Sequence, residues 1–193
     1  CTRMIANPSV KPRHWQLDAM KSFKDWRDTR QSGDSRTFVA AVTGGAGKTH
    51  FGVLVAGYTF SEDVHNVIII CPSNTIAHQW INAMKQDEKQ LTLWSLGQVS
   101  PDYPEDYVLT YQMMNNHAGR INRLIDRETL LIFDECHHLA DSQSWGDAAR
   151  LAGKDAGYRL MLTGTPFRED DARIPYVTYK DGLLVTNYEY TYG

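Results

Sequence analysis

The sequence predicts an α/β fold with three layers built on a mainly parallel sheet. Three observations lead there. Short apolar runs alternate along the chain with longer stretches of helical periodicity, the order expected of βαβ units. One apolar run, Phe38 to Val42, passes into a glycine-rich turn and then into a segment that can be helical. Finally, the polar signatures Thr43-Gly44-Gly45, Pro72-Ser73-Asn74, Asp134-Glu135 and Thr163-Gly164-Thr165 all follow apolar runs. They therefore gather at the carboxyl ends of strands, where open α/β sheets bind ligands.

Each element has its own signal. Residues 1–12 carry Pro8 and Pro12 and form an irregular lead-in. Trp15, Leu17, Met20, Phe23 and Trp26 recur at helical spacing, so Arg13 to about Arg30 is an amphipathic helix. Its aromatic stripe is core packing rather than a stacking platform for bases. Residues 31–35 end it, and a strand from Thr37 to Val42, the glycine turn and a helix from Lys48 to about Phe60 follow. Val64 to Cys71 is a core strand, and Pro72-Ser73-Asn74 offers an N-cap to a helix from Thr75 to Gln86. Leu91 to Trp94 and Tyr107 to Thr110 are strands, the second leading into a helix that ends at Leu124. Leu130 to Phe133, a helix around Trp145 to Leu151, and a strand from Tyr158 to Leu162 complete the alternation. Beyond residue 168, Ile174 to Tyr179 and Leu183 to Tyr192 are extended segments around Asp181-Gly182, a hairpin turn.

Composition bounds the function. A chain of 193 residues is long enough for a full core. Its net charge of −3 excludes a global basic field, so any nucleic acid must meet a local surface. The three scattered cysteines, Cys1, Cys71 and Cys136, lack metal spacing and fit a reducing, cytoplasmic compartment. No apolar run is long enough to span a bilayer, so no membrane partner is expected. From the start at Cys1 rather than a methionine, a fragment of a longer protein is expected.

The glycine turn carries the chemistry. Thr43, Gly44, Gly45, Ala46 and Gly47 can bring backbone N–H groups close to a phosphate, because glycine adopts positive φ without cost. Lys48 supplies a cation for the outer phosphates, and the Thr49 hydroxyl can bind Mg²⁺. The strict phosphate-loop pattern has a glycine where this chain has Val42. The second signal is Leu130 to His138, an apolar strand that delivers adjacent carboxylates. Beside a phosphate loop, Asp134 can hold Mg²⁺ while Glu135 orients and deprotonates a water. Cys136, His137 and His138 lack the spacing of a zinc site, and His137 is expected to link the nucleotide site to its neighbours by hydrogen bonds.

Phe133 to His138 resembles the DEAD/DEAH-type box of superfamily-two helicases and translocases, here in an Asp-Glu-Cys-His form. Gly44 to Thr49 resembles their motif I, which often lacks the first glycine. Pro12 to Gln16 resembles the glutamine-containing lead motif, Cys71 to Thr75 motif Ia, Thr110 to Gln112 the segment between Ia and II, and Leu162 to Arg168 motif III. The motifs stand in family order, with the texture of the restriction and repair branch. The resemblance implies a RecA-like ATP-binding lobe over residues 13–168, with 169–193 as an extended hairpin-like tail leading toward a second lobe. It implies ATP and Mg²⁺ as cofactors. Arg13 and Gln16 would meet the adenine. Pro72, Ser73, Asn74, Thr110, Tyr111 and Gln112 would meet nucleic acid, with DNA favoured over RNA. His137, Thr163 and Thr165 would couple hydrolysis to movement. Simple helix caps are the competing reading of the Ser73 and Thr110 segments. Hydrolysis would need the second lobe and its arginine finger. Two other functions stay open: a phosphate-loop ATPase that remodels proteins, and a non-catalytic nucleic-acid-binding module.

Overall fold

The computed structural model describes residues 11–96, 105–164 and 174–191. Helix α1 (His14–Thr29) comes first, then β1 (Thr37–Val42), α2 (Lys48–Glu62), β2 (Asn66–Cys71), α3 (Asn74–Gln86), β3 (Thr92–Leu93), β4 (Tyr107–Thr110) and α4 (Tyr111–Asn122). Strand β5 (Thr129–Phe133), a 3₁₀ turn (Cys136–Ala140), α5 (Gln143–Gly153) and β6 (Tyr158–Thr163) follow. The chain closes with β7 (Tyr179–Lys180), β8 (Leu183–Leu184) and β9 (Tyr188–Tyr190).

A seven-stranded sheet in the order β3-β4-β2-β5-β6-β1-β9 forms the middle layer. All of its pairings are parallel. Strands β1, β2 and β5 are buried along their whole length, which is why they read as unbroken apolar runs rather than alternating ones. The period of two survives in which layer each side chain joins. Phe38, Ala40, Val67, Ile69, Leu130, Ile132 and Leu160 enter one core with Trp15, Phe23, Phe51 and Trp80 of α1, α2 and α3. Val39, Ile68, Ile70, Leu131, Phe133 and Met161 enter the other with Tyr111, Met114 and Ala149 of α4 and α5. The aromatic stripe of α1 lies in the first core, as its spacing predicts.

The sequence predicts the hairpin turn, and Asp181 and Gly182 do adopt the positive φ values of 53° and 74° that such a turn needs. Only two residue pairs form there, Tyr179 with Leu184 and Lys180 with Leu183. The rest of the second extended segment leaves the hairpin. Residues 188–190 run beside β1, with Ala40 opposite Tyr188 and Val42 opposite Tyr190, and widen the main sheet. Among the described residues, no helix is long and apolar enough to cross a membrane.

The topology places the polar signatures. β1, β6 and β5 are consecutive in the sheet, so the segments after them share one edge. β2 and β4 are neighbours on the other side of β5, with Cys71 opposite Thr110.

Candidate functional site

The site begins where β1 ends. Gly45 and Gly47 take φ values of +77° and +99°, which side chains rarely tolerate. Gly47 is the N-cap of α2, and no side chain caps that helix. The first-turn N–H groups of α2 are thus left for a ligand, at the positive end of the helix dipole. Around the turn the polar groups point inward onto the loop's own backbone. The Arg13 guanidinium donates to Ala46 O at 2.9 Å, and the Trp15 indole to the same oxygen at 3.0 Å. The buried Gln16 amide donates to Gly47 O at 2.9 Å and accepts from Arg13 N at 2.8 Å. Gln16 therefore braces the loop with both ends of its amide. Glycine is needed at Gly47 for φ, and a Cβ there would come within 2.8 Å of Gln16 Nε2 and displace the bracing amide. Thr43 is also engaged: its N–H and hydroxyl donate to Tyr190 O at 3.0 and 3.2 Å. Strand β9 anchors the start of the turn, and Trp15 stacks on Tyr190 at 5.3 Å.

Lys48 and Glu135 form an ion pair across the site, with side-chain exposures of 10% and 25%. Glu135 sits at φ +50°, an uncommon conformation for glutamate that stores strain where the two carboxylates leave β5. Gly164, after β6, lies beside this pair, since a Cβ there would be 3.6 Å from Lys48 Nζ and 3.7 Å from Glu135 Oε2. Thr163 precedes it, buried at the end of β6, while Thr165 lies outside the described residues. His137 Nδ1 is 3.4 Å from Glu135 Oε2, and burial together with the neighbouring His138 pushes its imidazole below the usual range.

Asp134 is only 5% exposed. Burial pushes its carboxyl upward, opposed by the Trp80 indole, which donates to Oδ2 at 2.9 Å, and by Lys48. The Thr49 hydroxyl is partly exposed and makes no hydrogen bond among the described residues. A free hydroxyl and a carboxylate are hard oxygen donors of the kind Mg²⁺ takes, and a lysine under uncapped N–H groups suits a polyphosphate. The residues present fit both groups. Among the described residues, no cluster of His, Cys, Asp and Glu assembles a metal site without a further ligand.

The second set of sequence signals is used differently. Ser73 caps α3, its hydroxyl accepting from Ile76 N at 3.3 Å, and Thr110 caps α4 by accepting from Met113 N at 3.2 Å. Tyr111 has no exposed surface; its hydroxyl donates to Asp134 O at 2.8 Å. Pro72 is half-buried, whereas Asn74 and Gln112 are exposed beside these caps. Trp80 carries no motif. A tryptophan on an amphipathic helix reads as core, and nothing in the sequence pairs it with Asp134.

A glycine loop, a lysine paired to the second of two strand-end carboxylates, and a parallel sheet of this order define the amino-terminal RecA-like lobe of superfamily-two helicases and translocases, in the restriction and repair branch. The chain belongs to the family described as Type III restriction enzyme, res subunit, whose pattern matches residues 9–168. An uncharacterized protein of Mycobacterium tuberculosis is 39% identical over 169 residues, which cover 82% of this chain and 27% of that protein. The chain therefore spans little more than a quarter of that relative's length. The fold matches the Sulfolobus solfataricus SWI2/SNF2 ATPase core in complex with dsDNA with a TM-score of 0.67 at 18% identity, covering 86% of this chain and 34% of that one. It also matches the type ISP restriction-modification enzyme LlaGI, in complex with a DNA substrate mimic, with a TM-score of 0.61 at 14% identity, covering 85% and 18% of the two chains.

Proposed function

We propose that this chain is the ATP-binding first lobe of an ATP-dependent nucleic-acid translocase or helicase. The observation that carries the reading is the Lys48–Glu135 pair, set beside Gly164 at the uncapped start of α2. Lys48 exchanges Glu135 for a phosphate oxygen when nucleotide binds, and Glu135 is thereby released to orient and deprotonate a water. Thr49 and Asp134 would hold Mg²⁺, which would supply charge neutralisation for the transferring phosphoryl group. Thr43 to Gly47 present backbone N–H groups, and Arg13 and Gln16 keep the loop in shape on the side where the base is expected. His137, which meets Glu135 at 3.4 Å, is assigned, together with Thr163 and Thr165, the coupling of hydrolysis to movement. Turnover requires a second lobe that contributes an arginine.

Nucleic acid is proposed to lie along the α3 and α4 starts, where exposed Asn74 and Gln112 and the first-turn N–H groups touch phosphates without reading sequence. The complexes of both structural neighbours with DNA support DNA as the partner. Calorimetry of the chain with Mg²⁺ and an ATP analogue, followed by ATPase assays of a two-lobed protein containing it, tests the proposal. Binding of the analogue and stimulation of turnover by oligonucleotide are expected. Nucleotide binding with turnover indifferent to DNA and RNA would replace the motor with a protein-remodelling ATPase.

A further inference from the structure

We propose that Trp80 and Tyr111 are positioning residues that tie occupancy of the α3 and α4 N-termini to the placement of Asp134. The inference rests on the function proposed above and names its regulation. Asp134 is held from three directions. Its N–H donates to Ile70 O at 2.8 Å, its carbonyl accepts from the Tyr111 hydroxyl at 2.8 Å, and its carboxylate accepts from the Trp80 indole at 2.9 Å. Trp80 and Tyr111 are both fully buried, so neither can touch a ligand itself. Each instead belongs to a helix whose first turn faces the ligand edge. Tyr111 is the first residue of α4, directly after the Thr110 cap, and Trp80 lies within α3, behind the Ser73 cap. Those two caps are neighbours, because β2 and β4 pair with Cys71 opposite Thr110.

Trp80 has no slack. Its ring crosses α2 at Gly52, where even a Cβ would lie 2.4 Å from Cη2. Helix α2 is the one that opens with Lys48 and Thr49. One side chain thus spans the helix that starts at the proposed nucleic-acid edge, the helix that starts at the glycine loop, and the carboxylate between them. Tyr111 is fixed from its other side by stacking on Trp145 at 5.7 Å with 12° between the rings. Packing alone would be satisfied by an apolar ring without a donor. A buried indole N–H needs an acceptor and a buried carboxylate needs a donor, so the bond sets where the carboxylate oxygen lies. A close-packed interior passes a shift of either first turn on to these two donors.

The coupling is read as a ratio. Affinity of the full chain for a non-hydrolysable ATP analogue with Mg²⁺ is measured by calorimetry, with and without a saturating double-stranded oligonucleotide. For the unaltered chain the affinity is expected to change by about fivefold or more, the usual lower bound for coupled sites. Trp80→Phe keeps a ring and loses the N–H. Its ratio should fall to one, while affinity without oligonucleotide drops by no more than about tenfold, the lower end for one lost hydrogen bond to a charged group. Tyr111→Phe deletes a single oxygen and should lower the ratio in part; it carries the test if Trp80→Phe does not fold. An unaltered ratio in both variants, or a ratio of one in the unaltered chain, overturns the positioning role and leaves nucleotide binding standing. A chain that binds neither nucleotide nor oligonucleotide overturns the proposed function, and the positioning role with it.

Discussion

Helices α2 and α3 both start where a buried parallel strand ends, yet their first turns are finished in opposite ways. At α3 the Ser73 hydroxyl accepts from Ile76 N, and α4 and α5 repeat the arrangement with Thr110 and Ser142. A hydroxyl cap contributes about 1 kcal/mol, so helix stability alone accounts for a serine or threonine at these positions. At α2 the cap position is Gly47 in a left-handed conformation, with no side chain to accept anything. The next residue is Lys48, a cation at the positive end of the helix dipole, which costs about 0.3–1 kcal/mol where an anion would gain it. Glu135 offsets that charge from a strained backbone of its own. The comparison teaches that a polar residue after a strand is weak evidence of a site when its helix consumes it. Local choices that run against helix stability are stronger evidence, and they cluster at Gly47, Lys48 and Glu135.

The sharpest way to test this contrast is Glu135→Gln in a two-lobed protein containing the chain. Turnover should fall by about 10²–10⁴, the range for a lost general base, with nucleotide affinity nearly intact. Wild-type turnover would show that Glu135 only neutralises Lys48.

Lys48→Ala should come next in size. Calorimetry is expected to show nucleotide affinity reduced by about a hundredfold, matching the upper range for hydrogen bonds to charged groups. Circular dichroism should show an unchanged fold, because the substitution also removes a cation from the start of α2. Unchanged affinity would break the contrast outright.

Asp134→Asn keeps an acceptor for the Trp80 indole but loses the charge. A Mg²⁺ titration should show the metal-dependent part of nucleotide binding weakened by about tenfold, and little change without metal.

The smallest effects compare the caps directly. Denaturant unfolding of Gly47→Ala should show a loss of about 1–2 kcal/mol, because alanine does not fit the positive φ and would displace the Gln16 amide. Ser73→Ala and Thr110→Ala should each cost about 1 kcal/mol while oligonucleotide affinity, followed by fluorescence anisotropy, stays level. A fall in affinity for either variant would mean that its hydroxyl contacts nucleic acid, and the two kinds of helix start would no longer differ in purpose.

Much of this protein was legible in the chain. Unbroken apolar runs such as Val67 to Ile70 marked two-sided core strands, and the order of runs and periodic segments determined an α/β sheet with its polar signatures on one edge. The glycine turn, Lys48 and the two carboxylates were readable because their residue types and spacing are local. What the tertiary structure alone decided was which partner each polar atom finds. Thr43 bonds to Tyr190, Gln16 to Gly47, and Trp80 to Asp134. Residues 188–190 leave their hairpin because β1 offers an open row of backbone groups, and completing that ladder satisfies more donors and acceptors than a longer hairpin of two short strands. Tyr111 lies inside because the parallel neighbours β2, β4 and β5 bring Asp134 O within reach of its hydroxyl. Such pairings join residues far apart in sequence, and the composition of either segment alone does not specify them. The chain's local chemistry determined which groups could act, and the order of the parallel strands decided which of them meet.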